Sequence, residues 1–182
     1  MDLFSGAGGL SIGFRRVGLE PIAAVEKKPD AVATYRSHSP DVEILCGDIR
    51  DRNLSCFKGA VDVLCGGPPC QPFSTGGLRK ATADKRNMIP QFLAAVETIR
   101  PKAVFMENVS GLAVKSRVSY LHDILKQLSD LGYQPSWRIV VASHYGIPQK
   151  RRRLFVVGMR NQGFWFPLPT HGKGTANPEV PS

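Results

Sequence analysis

DLFSGAGG, residues 2–9, passes from a short apolar strand through three glycines into a helix beginning near Leu10. Glycines let the backbone approach a ligand closely, and a helix start offers unpaired amides at the positive end of its dipole, which suits a nucleotide or a carboxylate. The spacing is not the G-x-G-x-x-G of dinucleotide enzymes, and no P-loop lysine follows. The rest of the chain continues this strand-to-helix alternation. VLC at 63–65, AVFM at 103–106, IVVA at 139–142 and LFVV at 154–157 are short apolar runs rich in β-branched and aromatic residues, and they read as buried strands. Between them Met88, Ile89, Phe92, Leu93, Val96 and Ile99 recur at helical spacing. So do Val118, Leu121, Ile124, Leu125, Leu128 and Leu131, the second stripe closing at Leu131-Gly132 as a helix C-terminus does. The expected architecture is α/β, an open, mostly parallel sheet with helices on both faces. Met1 to Phe4 is little chain for the central strand of such a sheet, so the start is expected to be clipped.

The 182 residues, 42% hydrophobic and 21% charged, suit one well-buried domain. Residues 1–160 are assigned to that domain. NQGFWFPLPTHGKGTANPEVPS, 161–182, is Pro- and Gly-rich without periodicity and reads as a linker toward a further region. No run approaches the ~20 apolar residues a membrane helix needs and no signal segment opens the chain, so a cytoplasmic location without membrane contact is expected. Cys46, Cys56, Cys65 and Cys70 form no C-x-x-C pair and have no histidine at zinc spacing, so neither a metal site nor a disulfide framework is expected. A net charge of +9 points to a polyanion, DNA or RNA. The charge clusters at Lys150, Arg151, Arg152 and Arg153, and at Arg79, Lys80, Lys85 and Arg86, where a phosphate backbone is the natural counterpart.

GGPPCQPFS at 66–74 fixes one thiol, Cys70, behind Pro68 and Pro69 and ahead of a Ser-Thr-Gly-Gly run. The prolines lock their torsions and orient the thiol, while Gly76 and Gly77 free the segment beyond, so Cys70 reads as a nucleophile on a lid hinge. A Pro-rich surface loop with an incidental thiol is the alternative. Glu26 follows IAAV and Asp48 follows EILCG. In a doubly wound sheet both acids and the glycine turn converge on the crevice outside the carboxyl ends of the strands, where Glu26 suits ribose hydroxyls and Asp48 an adenine amine. Solvated strand-end acids are the alternative. ENV at 107–109 sets Glu107 and Asn108 at the end of the AVFM strand, an acid able to protonate a ring nitrogen and an amide able to brace the loop. A capping Asn108 beside an exposed Glu107 is the bland version.

DLFSGAGG, GGPPCQPFS, ENV and QKRRR, in this order and spacing, resemble the DNA (cytosine-5) methyltransferases of restriction-modification systems, over nearly all of residues 1–160. The resemblance implies a Rossmann-like, S-adenosylmethionine-dependent methyltransferase fold. It implies that Phe4, Gly6, Gly8, Gly9, Leu10, Glu26, Asp48, Ile49, Pro69 and Ile89 contact S-adenosylmethionine, that Cys70 is the nucleophile, and that Glu107, Arg151 and Arg153 hold the target base with Gln149 and Ser74 close by. Asp84-Lys85-Arg86 resembles the D-x-R pattern after the catalytic loop. Double-stranded DNA is the implied partner, the base being flipped into the pocket under a segment from Phe73 to Asn87. Lys28 departs from the family, which more often has an acidic or amide residue there. The family's target-recognition region is not represented, so a missing region or a second chain carrying it is expected. A cofactor- or DNA-binding remnant without turnover and a tRNA cytosine-5 methyltransferase are the alternatives.

Overall fold

The structure, a computed structural model, describes residues 1–70 and 86–172. Seven strands form one sheet in the order β3-β2-β1-β4-β5-β7-β6, mostly parallel and covered by helices, a Rossmann-like arrangement. The chain divides into two compact units, Met1–Met106 and Glu107–Ser182.

In the first unit β1 (Asp2–Leu3) leads through the glycine turn into α1 (Gly9–Arg15), then β2 (Ala23–Glu26), α2 (Pro29–His38), β3 (Glu43–Cys46), β4 (Val63–Gly66), α3 (Ile89–Ile99) and β5 (Ala103–Val109), whose last three residues enter the second unit. β1 pairs in parallel with β2 on one side and with β4 on the other, so the strand order reverses at β1. At such a switch point the loops leaving neighbouring strands diverge and leave a crevice beyond the strand ends. Although β1 has two residues, both are buried and Leu3 is fully so, because a strand flanked on both sides is hidden on both faces. Helix α3 turns Ile89, Phe92, Leu93, Val96 and Ile99 inward, as their spacing requires. It begins where the Asn87 side chain accepts the Ile89 amide at 3.2 Å, with Pro90 in the first turn, and it ends on Arg100 in the left-handed region.

The close of β4 has room only for glycine. A Cβ on Gly66 would lie 2.4 Å from the Leu3 carbonyl oxygen and 3.1 Å from the Phe92 ring. This contact lets β4 abut β1 at the point where the crevice opens.

In the second unit α4 (Val118–Asp130) buries Tyr120, Leu121, Ile124 and Leu128, and Gly132 at φ +87° closes it. The antiparallel pair β6 (Gln134–Val141) and β7 (Arg152–Met159) is in register from Gln134↔Met159 to Val141↔Arg152. Residues 161–172 contain no helix or strand, yet Ser136 donates to the Phe164 carbonyl at 3.0 Å and Tyr145 to the Pro167 carbonyl at 2.9 Å, which ties the segment to its own unit. Among the described residues no helix is long and apolar enough to cross a membrane.

Candidate active site

The glycine turn leaves β1 through Phe4 at φ +56°, a left-handed conformation costing a residue with a side chain about 1–2 kcal/mol. It persists because the next residues are held. The Ser5 amide donates to the Val25 carbonyl at 3.2 Å, and the Gly6 amide donates to Glu26 Oε2 at 2.8 Å. Glu26 Oε1 accepts the Lys28 amide at 2.8 Å, so this carboxylate gathers the loops leaving β1 and β2. Gly8, at φ +87°, caps α1, and a Cβ there would stand 3.0 Å from the Tyr35 ring, so the turn seats directly on α2.

Beyond β3 the Asp48 side chain caps the short 3-10 turn Ile49–Asp51. Its Oδ1 accepts the Arg50 amide at 3.0 Å and Arg50 Nε at 2.9 Å. Its Oδ2 accepts Arg50 Nη2 at 2.6 Å and Lys27 Nζ at 3.0 Å. Hydrogen bonds from the Arg50 side chain and then its backbone hold the Asp48 carboxyl far below the usual carboxylate range.

Phe4, Gly6, Glu26, Asp48, Ile49 and Pro69 line one open cavity of about 750 Å³ at the strand ends, a volume in the range of nucleoside-sized ligand sites. Gly8, Gly9, Leu10 and Ile89 do not line it. Gly8 shapes the turn from behind, and Ile89 is wholly buried at the start of α3. Lys27, Lys28, Arg50, Gly67, Arg86 and Met88 also line the cavity, and of these the sequence singled out Lys28, Arg86 and Met88 but not Lys27, Arg50 or Gly67. For Arg50 no signal existed, since every residue but proline carries the amide such a cap accepts and the ion pair depends on side chains meeting in space. Glu26 has accepted one amide on each oxygen and so keeps acceptor capacity for hydroxyl groups, and the lining mixes apolar and polar groups. These residues fit an adenosine-bearing cofactor.

Cys70 directly follows Pro69 at the cavity edge. It is half-buried and forms an antiparallel bridge with Asn87, beside the Met88 amide that donates to the Pro69 carbonyl at 2.9 Å. Ser74, the basic residues Arg79, Lys80 and Lys85, Asp84, and the lid expected from Phe73 onward lie outside the described residues up to Arg86. Cys65 is a different kind of thiol. It is buried, donates to the Met1 carbonyl at 3.4 Å, and burial pushes its pKa far above the ordinary value, so it stays protonated and unreactive. No group of three or more His, Cys, Asp or Glu suited to a metal occurs among the described residues.

A second cluster lies within the second unit. Glu107 does not follow the AVFM strand but lies inside β5, which runs on through Val109. Strand alternation puts Val104, Met106 and Asn108 on the buried side and Glu107 on the half-buried one. Arg153, in β7, donates from Nε to Glu107 Oε1 at 2.8 Å, and Arg151 Nη2 stands 3.9 Å from the same oxygen. The side chains of Glu107 and Arg153 are 24% and 27% exposed, partly shielded from water yet open to a ligand. Buried Asn108 accepts the Val109 amide on its own Oδ1 at 2.9 Å and so fixes the turn after β5. Gln149 and Lys150 are exposed on the approach to β7.

The C-5 cytosine-specific DNA methylase family matches residues 1–179. The Type II methyltransferase M.AplI of Arthrospira platensis is 40% identical over 91% of this chain, which spans 46% of that protein. M.AquIA, a Type II methyltransferase of Picosynechococcus, is 37% identical over 94% of the chain and is itself 76% spanned. Among solved structures, one described as a DNA modification methyltransferase encoded within an E. coli prophage superposes with a TM-score of 0.74 at 32% identity, over 87% of this chain and 45% of that one. With a strand-end crevice, a glycine turn held by Glu26, a cysteine next in sequence to the crevice-lining Pro69 and a match over nearly its whole length, the chain belongs to the C-5 cytosine-specific DNA methylase family.

Proposed function

We propose that this chain carries the catalytic machinery that transfers a methyl group from S-adenosylmethionine to carbon 5 of cytosine in double-stranded DNA, through a covalent bond between Cys70 and the base. The observation that supports this reading is that Pro69 lines the cavity and Cys70 is the next residue, bridged to Asn87. Glu26 would accept the ribose hydroxyls, Asp48 the adenine amine, and Phe4, Gly6, Ile49 and Pro69 the remaining surface of the cofactor, which when bound supplies an electrophilic methyl group.

Carbon 5 of cytosine is a weak nucleophile. Addition of the Cys70 thiolate at carbon 6 forms a C–S bond and turns the ring into an enamine-like species nucleophilic at carbon 5. The electron density displaced into the ring is met by a proton from the Glu107 carboxyl at ring nitrogen 3 and by the Arg153 and Arg151 guanidiniums at the carbonyl oxygen. Each such contact contributes on the order of 3 kcal/mol in a site closed to water. After methylation, ring nitrogen 3 returns its proton to Glu107, and loss of the carbon 5 proton to a base lets the C–S electron pair return to sulfur and frees Cys70. The target base is buried in a duplex, so the reading includes its extrusion from the stack. Sequence recognition by a region outside these residues, on the same or a second polypeptide, belongs to this reading, since the chain spans about half the length of M.AplI.

Incubation with labelled S-adenosylmethionine and either a cytosine-containing duplex or tRNA tests it. Label recovered as 5-methylcytosine in the duplex is expected. Label confined to tRNA, or cofactor and duplex both bound without transfer, would contradict it.

A further inference from the structure

The two acids of the crevice differ in what remains available to a ligand. Glu26 accepts two hydrogen bonds, both from backbone amides, and keeps half its acceptor capacity. Asp48 accepts four, one backbone and three from cationic side chains, which fills the about four lone-pair sites of a carboxylate. Its side chain is 11% exposed, whereas those of Arg50 and Lys27, which cover it, are 44% and 69% exposed and able to move.

We propose that Arg50 competes with the cofactor for Asp48, so that an adenine amine is accepted only when the Arg50 guanidinium leaves the carboxylate, and Arg50 thereby sets both the affinity and the base selectivity of the crevice. The inference rests on the reading of the crevice as an S-adenosylmethionine site. Arg50 donates both a guanidinium edge and its own amide to Asp48. Truncating its side chain therefore removes the competitor while leaving the amide that caps the turn. Asp48 would still hold the amide of residue 50 and Lys27, with sites open for a ligand donor. The seated guanidinium is itself a donor, so the unaltered crevice presents a positive edge where the base's exocyclic group arrives. That edge suits a carbonyl better than an amine. Exposing the carboxylate reverses the preference.

The test is isothermal titration of the full chain with S-adenosylhomocysteine and with S-inosylhomocysteine, which carries a carbonyl in place of the amine, for the unaltered protein, Arg50→Ala and Arg50→Met. Methionine keeps the apolar stem should alanine disturb the turn. Both variants are expected to bind S-adenosylhomocysteine about threefold to tenfold more tightly, in keeping with removal of a partly exposed ion pair strengthened by hydrogen bonds. Their preference for the adenosyl over the inosyl ligand should rise by the same factor. Unchanged or weaker binding of S-adenosylhomocysteine by the variants, while the unaltered chain binds it, would overturn the inference and leave the cofactor site standing. Failure of the unaltered chain to bind either ligand would remove the site itself, and the inference with it.

Discussion

The crevice of the first unit and the charge cluster of the second are built by opposite means. Around the glycine turn of the crevice, positions are set by backbone: a left-handed Phe4, amides of Gly6 and Lys28 on Glu26, and a β4 terminus at Gly66 too close to Leu3 for any side chain, with Asp48, held by Arg50 and Lys27, the exception. In the second unit one side chain meets another, Arg153 on β7 reaching Glu107 on β5 at 2.8 Å, with no amide in the contact. A site held by backbone loses affinity or stability when altered and keeps its chemistry. One held by side chains loses chemistry and keeps its fold. Cys70 departs from this division, because it stands in the backbone-built unit yet is assigned a chemical role.

The largest expected effect therefore concerns Cys70. Cys70→Ser should lower methyl transfer by more than about 10³-fold, as loss of a nucleophile does elsewhere, with S-adenosylhomocysteine binding unchanged in titration. Substantial turnover would place the chemistry at another group. Glu107→Gln comes next, with a loss of about 10²–10³-fold in the single-turnover rate. Unchanged thermal unfolding in that variant would show that the second cluster serves chemistry rather than folding.

Gly66→Ala should act on the fold alone. A methyl group forced against the Leu3 carbonyl and the Phe92 ring should cost about 3 kcal/mol in denaturant unfolding, and a cost below about 0.5 kcal/mol would refute the tight β1–β4 junction.

A smaller effect belongs to Asp2 beneath the glycine turn. It is 1% exposed, accepts the Ser11 hydroxyl at 2.8 Å across the β1–α1 junction, and burial raises its pKa from 3.8 to about 6. The raised value means that the folded state holds this proton more tightly than the unfolded chain. Stability from this group is thus greatest below about pH 4 and is lost as the pH rises through about 6, by roughly 1–3 kcal/mol. Asp2→Asn should flatten that part of the stability profile in urea unfolding across the interval. An unchanged slope would mean that Asp2 does not carry it.

Much of this arrangement was legible in the sequence, for reasons that can be traced residue by residue. The strands at VLC and AVFM and the stripes from Ile89 to Ile99 and from Val118 to Leu128 are strongly apolar because they are buried by neighbours, so periodicity reports them. Glu26 and Asp48 were readable because a doubly wound sheet delivers strand-end acids to one crevice. Helix α2 was not read, since only Val32 and Tyr35 of its ten residues are buried, too few for a stripe. β6 begins at Gln134 rather than Ile139 because it lies last in the strand order, where Gln134, Trp137 and Arg138 face solvent and break the apolar run. β5 runs on through Glu107 because a partner on β7 satisfies a carboxylate that looked like the start of a loop. The four donors on Asp48 were hidden for the same reason: ion pairs depend on which exposed side chains meet in space, and a 3-10 turn of three residues leaves no periodic trace.

The covalent role of Cys70 is tested most directly by incubating the chain with S-adenosylmethionine and a duplex carrying 5-fluorocytosine at the target position, followed by mass spectrometry of the digested complex. Fluorine at carbon 5 cannot leave as a cation, so the account predicts a stable protein–DNA adduct on the peptide containing Cys70 and on no peptide containing Cys46, Cys56 or Cys65. Methylation of the ordinary duplex with no adduct to the fluorinated one, or an adduct on another cysteine, would contradict it.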